Sequence, residues 1–189
     1  MSRKTTPFNK NLLIIILSAI AVVLFTVNYL KTNDLSFEKL LFVKTATPIP
    51  MPKQNNEDFT LVKEVIDGDT IVLENGDVIR YLGIDTPELH HPKVGEECGG
   101  KEASDANSEL VAGKKVKLEK DITDKDQYGR LLRFVFSDDG VFVNYELIRR
   151  GYAQVLAIPP DKKFEKVFID AQLTAKNENL GIWQKCFNK

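Results

Sequence analysis

The sequence has few of the residues that bind zinc: two Cys and two His occur among 189 residues. His90 and His91 are adjacent and share a loop with Cys98, but no fourth ligand stands at the spacing of a zinc site. The sequence also lacks any repeat of the period that solenoid proteins show. We therefore do not expect a structural zinc domain or a repeat protein.

An excess of basic residues is also missing from residues 58–189. Lys and Arg number 19 there against 24 Asp and Glu, a formal net charge of −5. Proteins that hold nucleic acid by electrostatic attraction alone are usually basic. The charge therefore argues against a simple nucleic-acid-binding surface, but it is compatible with an enzyme whose carboxylates are neutralised by a bound cation.

No acidic residue precedes Asp34, and residues 11–30 are almost wholly apolar and uncharged. They follow a basic N-terminal segment, 1–10. A run of about 20 apolar residues is what a helix needs to cross the hydrocarbon core of a membrane. We predict a transmembrane anchor over 11–30 with a cytoplasmic N-terminus and the remainder outside. The alternative is a cleaved signal peptide and a secreted protein, although the apolar part of such peptides usually has about 7–15 residues.

Residues 31–57 contain three prolines spaced by one residue, a pattern that favours extended backbone and predicts a linker. Both cysteines lie beyond it. In an oxidising compartment two cysteines tend to pair, so we predict a disulfide between Cys98 and Cys186. Two buried, unpaired thiols are the alternative. On the chain-entropy account, a disulfide closing so long a loop stabilises by about 4–5 kcal/mol.

Alternating apolar residues predict five strands in residues 58–189, and helical spacing predicts three helices. Asn75-Gly76 suits a two-residue type I′ turn, which would pair Leu73 with Val78 and place Asp69 and Arg80 on one face of the hairpin. An exposed cross-strand ion pair is the alternative for these two charges. The fold class that we predict is α+β, mainly β: a five-stranded OB-type Greek-key barrel with three helices, preceded by the N-terminal transmembrane helix.

Three acidic residues, Asp69, Asp85 and Glu88, fall at the ends of predicted strands. Carboxylates that meet without a cation raise one another's pKa, and a hard divalent cation removes the repulsion. Pro87 favours extended backbone at Thr86 and can direct the Thr86 carbonyl into the same site. The pattern therefore predicts a metal site with oxygen ligands.

Arg80 lies inside an apolar strand, and Arg130 stands at the entrance to another. A guanidinium matches phosphate through two parallel hydrogen bonds, and a buried charge needs such a partner. With a metal and with Glu88 to position or deprotonate water, the arginines predict a phosphodiesterase. Three unrelated surface turns and two paired arginines would explain the same pattern without a site.

The order of the motifs narrows these alternatives. The chain reads IDGDT, IRYLGIDTPE, GKEAS, DQYGRLL, ELIRRGYA and GIW. In this order and spacing the motifs resemble the thermonuclease family, also called staphylococcal nuclease-like domains, over nearly all of residues 58–189. The resemblance implies an OB-type barrel and a calcium-dependent endonuclease. Such an enzyme would cleave DNA and RNA at the phosphorus–O5′ bond and leave 5′-hydroxyl and 3′-phosphate ends.

The resemblance also implies a role for each acidic position. Asp69 and Asp85 correspond to the calcium-ligating aspartates, and the carbonyl of Thr86 corresponds to the ligating backbone oxygen. Glu88 corresponds to the glutamate that handles the attacking water. Asp67 matches an acid that supports the metal site without binding the metal directly.

Arg80 and Arg130 correspond to the catalytic arginines, and Tyr128 to a residue near the phosphate. The chain departs from the family after GYAQV, where it reads LAIPP instead of tyrosines that contact the nucleotide. Its partners would be DNA and RNA substrates and the membrane, and we expect a monomer. Two alternatives are a catalytically silent nuclease-like module that only binds nucleic acid and a structural calcium-binding domain, although the latter leaves the arginines without a purpose.

Overall fold

The structure is a computed structural model that describes residues 59–89, 93 and 95–187. The predicted basic segment, anchor and linker lie outside the described residues, as do His90 and His91. Among the residues that the structure describes, no helix has the length and apolar character needed to cross a membrane.

The described part of the chain contains seven strands, of which five close into a barrel in the order β1-β2-β3-β6-β5. Their bounds are β1 Phe59–Val65, β2 Thr70–Leu73, β3 Val78–Tyr81, β4 Gly83–Asp85, β5 Lys115–Glu119, β6 Leu131–Ser137 and β7 Gln154–Leu156. Strands β3 and β6 run parallel, and the other barrel pairs are antiparallel. The five predicted barrel strands are confirmed. The short β4–β7 pair outside the barrel was not predicted.

Four helices accompany the barrel within the residues that the structure describes. They are α1 Gly100–Val111, α2 Val143–Arg149, α3 Glu165–Asn177 and α4 Ile182–Lys185. The first three confirm the predicted helices, whose apolar faces are buried at Ala103, Leu147 and Phe168. The four-residue α4 escaped prediction because one helical turn is too short to show a period.

The register of the β2–β3 hairpin differs from the prediction by one residue. Thr70 pairs with Arg80 and Val72 with Val78, so the predicted pairing of Leu73 with Val78 is wrong. The loop has three residues instead of two. Gly76 adopts a φ of 89°, and its N–H donates to the Leu73 carbonyl, as in a type I turn followed by a bulge. The Asn-Gly pair therefore marks the turn but not its length.

The core is apolar with two buried amides that connect separate elements. The Asn144 side chain accepts from the Val135 N–H and donates to the Leu82 carbonyl, both at 2.9 Å, which joins α2 to the barrel. The Asn107 side chain accepts from the Tyr81 hydroxyl at 2.9 Å. A buried amide must have its partners satisfied, so these bonds define where the helices sit on the barrel.

The predicted disulfide is confirmed. Cys98, which precedes α1, is bonded to Cys186 at the end of α4, and their Cα atoms are 5.9 Å apart. The bond therefore joins the segment that follows Glu88 to the last helix.

Candidate active site

The Asp67-Gly68-Asp69 turn places one carboxylate inside the protein. Asp69 is 3% exposed, and its Oδ2 accepts from the Thr86 N–H at 3.0 Å. Its Oδ1 accepts from the Thr70 hydroxyl at 3.2 Å. Asp67 stays at the surface of the site, where its Oδ1 accepts from the Asp69 N–H at 3.0 Å. The two aspartates therefore differ in place: Asp69 points inward, and Asp67 supports the turn.

Gly68 is required by space. A Cβ atom built there would lie 2.6 Å from Thr86 Oγ1 and 2.8 Å from the Cβ of Ala103. Real Cβ atoms do not approach other atoms this closely, so the turn can rest on Thr86 and α1 only when position 68 has no side chain. This close packing brings Asp69 to Thr86.

Arg80 bridges the two predicted metal-binding aspartates. Its Nη1 lies 2.8 Å from Asp69 Oδ2, and its Nη2 lies 2.6 Å from Asp85 Oδ1. Nη1 also donates to the carbonyls of Tyr81 at 3.1 Å and Ile84 at 2.9 Å. The pairing is close, as the sequence predicted, although it arises with Thr70 opposite Arg80 and not through the predicted register.

Burial dominates the electrostatics of Asp69. Loss of solvent raises the pKa of Asp69 to about 7, although the Arg80 charge and the Thr86 N–H oppose the rise and Asp67 adds to it. Further positive charge beside Asp69 would favour its ionised form. A divalent cation is a suitable source of that charge.

Glu88 lies beside the same charges on the loop after β4. Partial burial raises the pKa of Glu88 above its usual range, and the negative charge of Asp67 adds to this while Arg80 opposes it. The Glu88 N–H donates to Glu97 Oε2 at 3.1 Å, and the Glu88 carbonyl accepts from the Glu97 N–H at 2.9 Å. The Glu88 backbone is therefore held, while its side chain is exposed.

Arg130 shares a cleft of about 360 Å³ with Arg80. Asp126 Oδ2 accepts from Arg130 Nε at 2.6 Å, which leaves the two terminal nitrogens of the guanidinium for another partner. The Tyr128 ring, which is 76% exposed, lies with its centroid 5.6 Å from the Arg130 Cζ atom. Leu156, Ile158 and Pro159 supply apolar surface on the same cleft.

The structure thus brings the predicted site residues to neighbouring positions. Hydrogen bonds or charge link five of these residues to one another or to Arg80: Asp67, Asp69, Asp85, Thr86 and Glu88. The other two, Arg130 and Tyr128, border the cleft that Arg80 lines. Within the described residues, no group of three or more His, Cys, Asp or Glu side chains stands at metal-binding geometry.

The donor set nevertheless fits a hard cation. Asp69 and Asp85 already share one positive group, Arg80, and carboxylate oxygens are the ligands that calcium and magnesium prefer. The Thr86 N–H is bonded to Asp69, so the Thr86 backbone lies directly beside the carboxylate. A cation held by the two carboxylates and the Thr86 carbonyl would have its remaining coordination positions open to water or substrate.

Two residues of the site escaped the sequence analysis. Asp126 orients Arg130, and its position four residues earlier across a Tyr-Gly turn is a local signal that could have identified it. Glu97 holds the Glu88 backbone from nine residues away. No pattern in the sequence marks Glu97, because the intervening loop sets the contact.

Comparisons with known proteins agree with this geometry. A sequence model described as "Staphylococcal nuclease homologue" matches residues 78–185, which is more than half of the chain. The chain belongs to the staphylococcal nuclease family. Its relatives in this family include the thermonuclease of Staphylococcus intermedius, 32% identical over 174 residues that make up 90% of this chain and 96% of that protein.

Two further relatives in the staphylococcal nuclease family come from Bacillus subtilis. Endonuclease YncB is 40% identical over 148 residues, 75% of this chain and 69% of the relative. The SPbeta prophage-derived endonuclease YokF is 44% identical over 133 residues, 68% of this chain but only 44% of the relative. These matches confirm the resemblance that the motifs indicated, and the relatives are named as nucleases.

Proposed function

We propose that the protein is a calcium-dependent endonuclease that hydrolyses phosphodiester bonds of DNA and RNA. The nuclease relatives support hydrolysis of nucleic acid. One observation carries the finer proposal: Arg80 lies between Asp69 and Asp85 and lines the same cleft as Arg130. Anionic ligands for a cation and cationic groups for a phosphate thus meet at one place.

The cation would be held by Asp69, Asp85 and the Thr86 carbonyl. When bound, it supplies positive charge to the phosphate and to the water that attacks it. The candidate donors are all oxygens, which suits calcium and magnesium alike, and calcium is the proposed ion because the resemblance to the thermonuclease family implies it. Asp67 would support the ligands through its hydrogen bond to the Asp69 N–H.

Glu88 would accept a proton from the attacking water. Burial and Asp67 raise the pKa of Glu88, which makes its carboxylate a stronger base than one in free solvent. Arg80 and Arg130 would donate hydrogen bonds to the phosphate oxygens, whose negative charge grows in the transition state. The water oxygen would bond to phosphorus as the phosphorus–O5′ bond breaks, and the O5′ leaving group would take a proton from solvent water, which gives the 5′-hydroxyl and 3′-phosphate ends.

We further propose action outside the cytoplasm. The apolar run at residues 11–30, with basic residues before it, supports an anchored catalytic domain beyond the membrane, and a secreted form after signal cleavage is the alternative. A monomer is proposed because no second copy is needed to complete the described site.

The full chain, incubated with single-stranded DNA and RNA, tests the proposal. We expect cleavage with calcium and none with a chelator. Glu88→Gln should lower kcat about 10²–10⁴-fold with little change in the unfolding midpoint. Glu96→Gln is the matched control, because Glu96 is an exposed glutamate of the same loop, and it should keep the wild-type rate.

Each unexpected outcome has a defined meaning. Nucleic-acid binding without cleavage in calcium would replace the proposal with a silent binding module. Cleavage that survives the chelator would refute the metal requirement. End-group analysis of the products checks for 5′-hydroxyl and 3′-phosphate ends.

A further inference from the structure

We propose that the Cys98–Cys186 disulfide positions Glu88, so that the turnover rate depends on this bond as well as the stability of the fold. The inference rests on the proposed function, in which Glu88 accepts a proton from water. Neither cysteine lines the cleft of Arg80 and Arg130. Cys98 is exposed and Cys186 is half-buried, so a small reductant can reach the bond.

Glu88 and Glu97 are joined by two hydrogen bonds. The Glu88 N–H donates to Glu97 Oε2 at 3.1 Å, and the Glu97 N–H donates to the Glu88 carbonyl at 2.9 Å. Glu97 immediately precedes Cys98. Any displacement of Cys98 therefore moves the residue that holds the Glu88 backbone.

The two glycines that follow Cys98 are closely packed. A Cβ at Gly100 would lie 2.4 Å from the Glu88 carbonyl oxygen, so the start of α1 rests directly on the Glu88 backbone. A Cβ at Gly99 would lie 2.6 Å from Ile182 Cγ2 of α4. Residues 97–100 are thus packed between Glu88 on one side and α4 on the other.

Helix α4 is itself held in place by contacts with α3 and with the end of α2. Ile182 is 1% exposed and Trp183 is 8% exposed, and both pack in a cluster with Ala175 of α3. The Ile182 N–H donates to the Gly151 carbonyl at 2.9 Å, which joins α4 to the end of α2. The disulfide transmits this rigidity to Cys98.

Breaking the bond would leave residues 97–100, and the Glu88 backbone that contacts them, held to α4 by non-covalent contacts alone. Displacements of about 1 Å in a catalytic group can cost about 100-fold in rate. We expect kcat to fall about ten- to 100-fold. KM should change by less than about twofold, because the arginines of the cleft keep their own partners.

The main experiment compares the oxidised full chain, the chain reduced by a dithiol, and the Cys98→Ser/Cys186→Ser variant. The dithiol gives two electrons and two protons to the S–S bond, which becomes two thiols, and is itself oxidised to a cyclic disulfide. Rates are measured with calcium at a temperature where circular dichroism shows all three forms folded. Equal kcat values for the oxidised and reduced chains would overturn the proposal.

Two controls separate positioning from general loss of stability. Val116→Ala creates a cavity in β5, away from the disulfide, and should lower the unfolding midpoint while keeping kcat. In the Glu88→Gln background, reduction should not lower the residual rate further, because the disulfide acts through Glu88. A further loss there of the same size as in the wild type would refute action through Glu88.

Amide hydrogen exchange tests the positioning without any assay of activity. Reduction should speed exchange of the Glu88 and Glu97 N–H groups more than that of the Ile182 N–H. If the oxidised chain cleaves nothing, the proposed function fails, but this exchange result still decides whether the disulfide holds Glu88. Unchanged exchange at Glu88 and Glu97 would refute the positioning role.

Discussion

Replacement of Arg80 by Met tests how the buried carboxylate is stabilised. Arg80 contacts two carbonyl oxygens and two carboxylates, and the side chain of Asp69 is only 5% exposed. Removing one partner of a buried pair leaves an uncompensated charge and costs about 3–5 kcal/mol. Because the pKa of Asp69 is already raised to about 7, we expect Arg80→Met to lower the free energy of unfolding by about this amount in chelator at a pH well above 7, where the carboxylate is ionised.

Arg133 provides a matched control on the neighbouring strand. It is 14% exposed, against 13% for Arg80, and it also donates to two backbone carbonyls. Its single carboxylate partner, Asp124, is 52% exposed and can be solvated when the arginine is lost. The loss for Arg133→Met should therefore be about 1–2 kcal/mol, which reflects its hydrogen bonds.

Urea unfolding with and without calcium measures both effects. A difference of about 2 kcal/mol between the two variants shifts the midpoint by about 1 M at an ordinary slope. Calcium should stabilise Arg80→Met more than the wild type, since the cation replaces the positive charge of Arg80 between Asp69 and Asp85. Calcium should stabilise Arg133→Met no more than the wild type. Equal losses for the two variants would refute the argument from the buried carboxylate.

Three further predictions follow from local contacts. Gly68→Ala should lower the free energy of unfolding by about 1–3 kcal/mol and raise the calcium concentration needed for activity, because the new Cβ displaces Thr86. Gly76→Ala is the control: a Cβ there has nothing within 4 Å, so the calcium requirement should stay unchanged. Asn144→Ala should lower the thermal midpoint, because the Val135 N–H and the Leu82 carbonyl lose their partner; an unchanged midpoint would contradict this role. Hydrogen bonds from Arg149 lower the pKa of Glu146 in the folded protein. The ionised Glu146 therefore stabilises the fold above the ordinary glutamate pKa, and this contribution is lost as the pH falls through the lowered pKa. Glu146→Gln should therefore flatten the acid limb of the stability profile, which urea unfolding from pH 7 to pH 3 would reveal.

The barrel elements could be predicted because each one carries its own pattern. Alternation of apolar residues identifies strands such as β6, and helical spacing with a terminal glycine identifies α1. The site residues were predicted for a similar reason, since Asp69, Arg80 and Asp85 lie in short motifs whose charges are unusual for strands. Neither inference required knowledge of contacts between distant parts of the chain.

The hairpin shows where such local patterns fail. Asn75-Gly76 permits both a two-residue loop and a three-residue loop with the glycine at positive φ. The pairing of Thr70 with Arg80 is decided by the barrel, which must bury Ile71 and Ile79 together. A shift of one residue would place Ile71 opposite Arg80 and turn one of the two isoleucines away from the core.

By itself, the sequence determined the five barrel strands, the three longer helices and the candidate residues for the chemistry, because these depend on neighbours in the chain. Only the tertiary structure decided that Arg80 bridges Asp69 and Asp85, that Gly68 leaves room for Thr86, and that Glu97 holds the Glu88 backbone. These contacts join separate elements, so their distances follow from how the helices pack on the barrel.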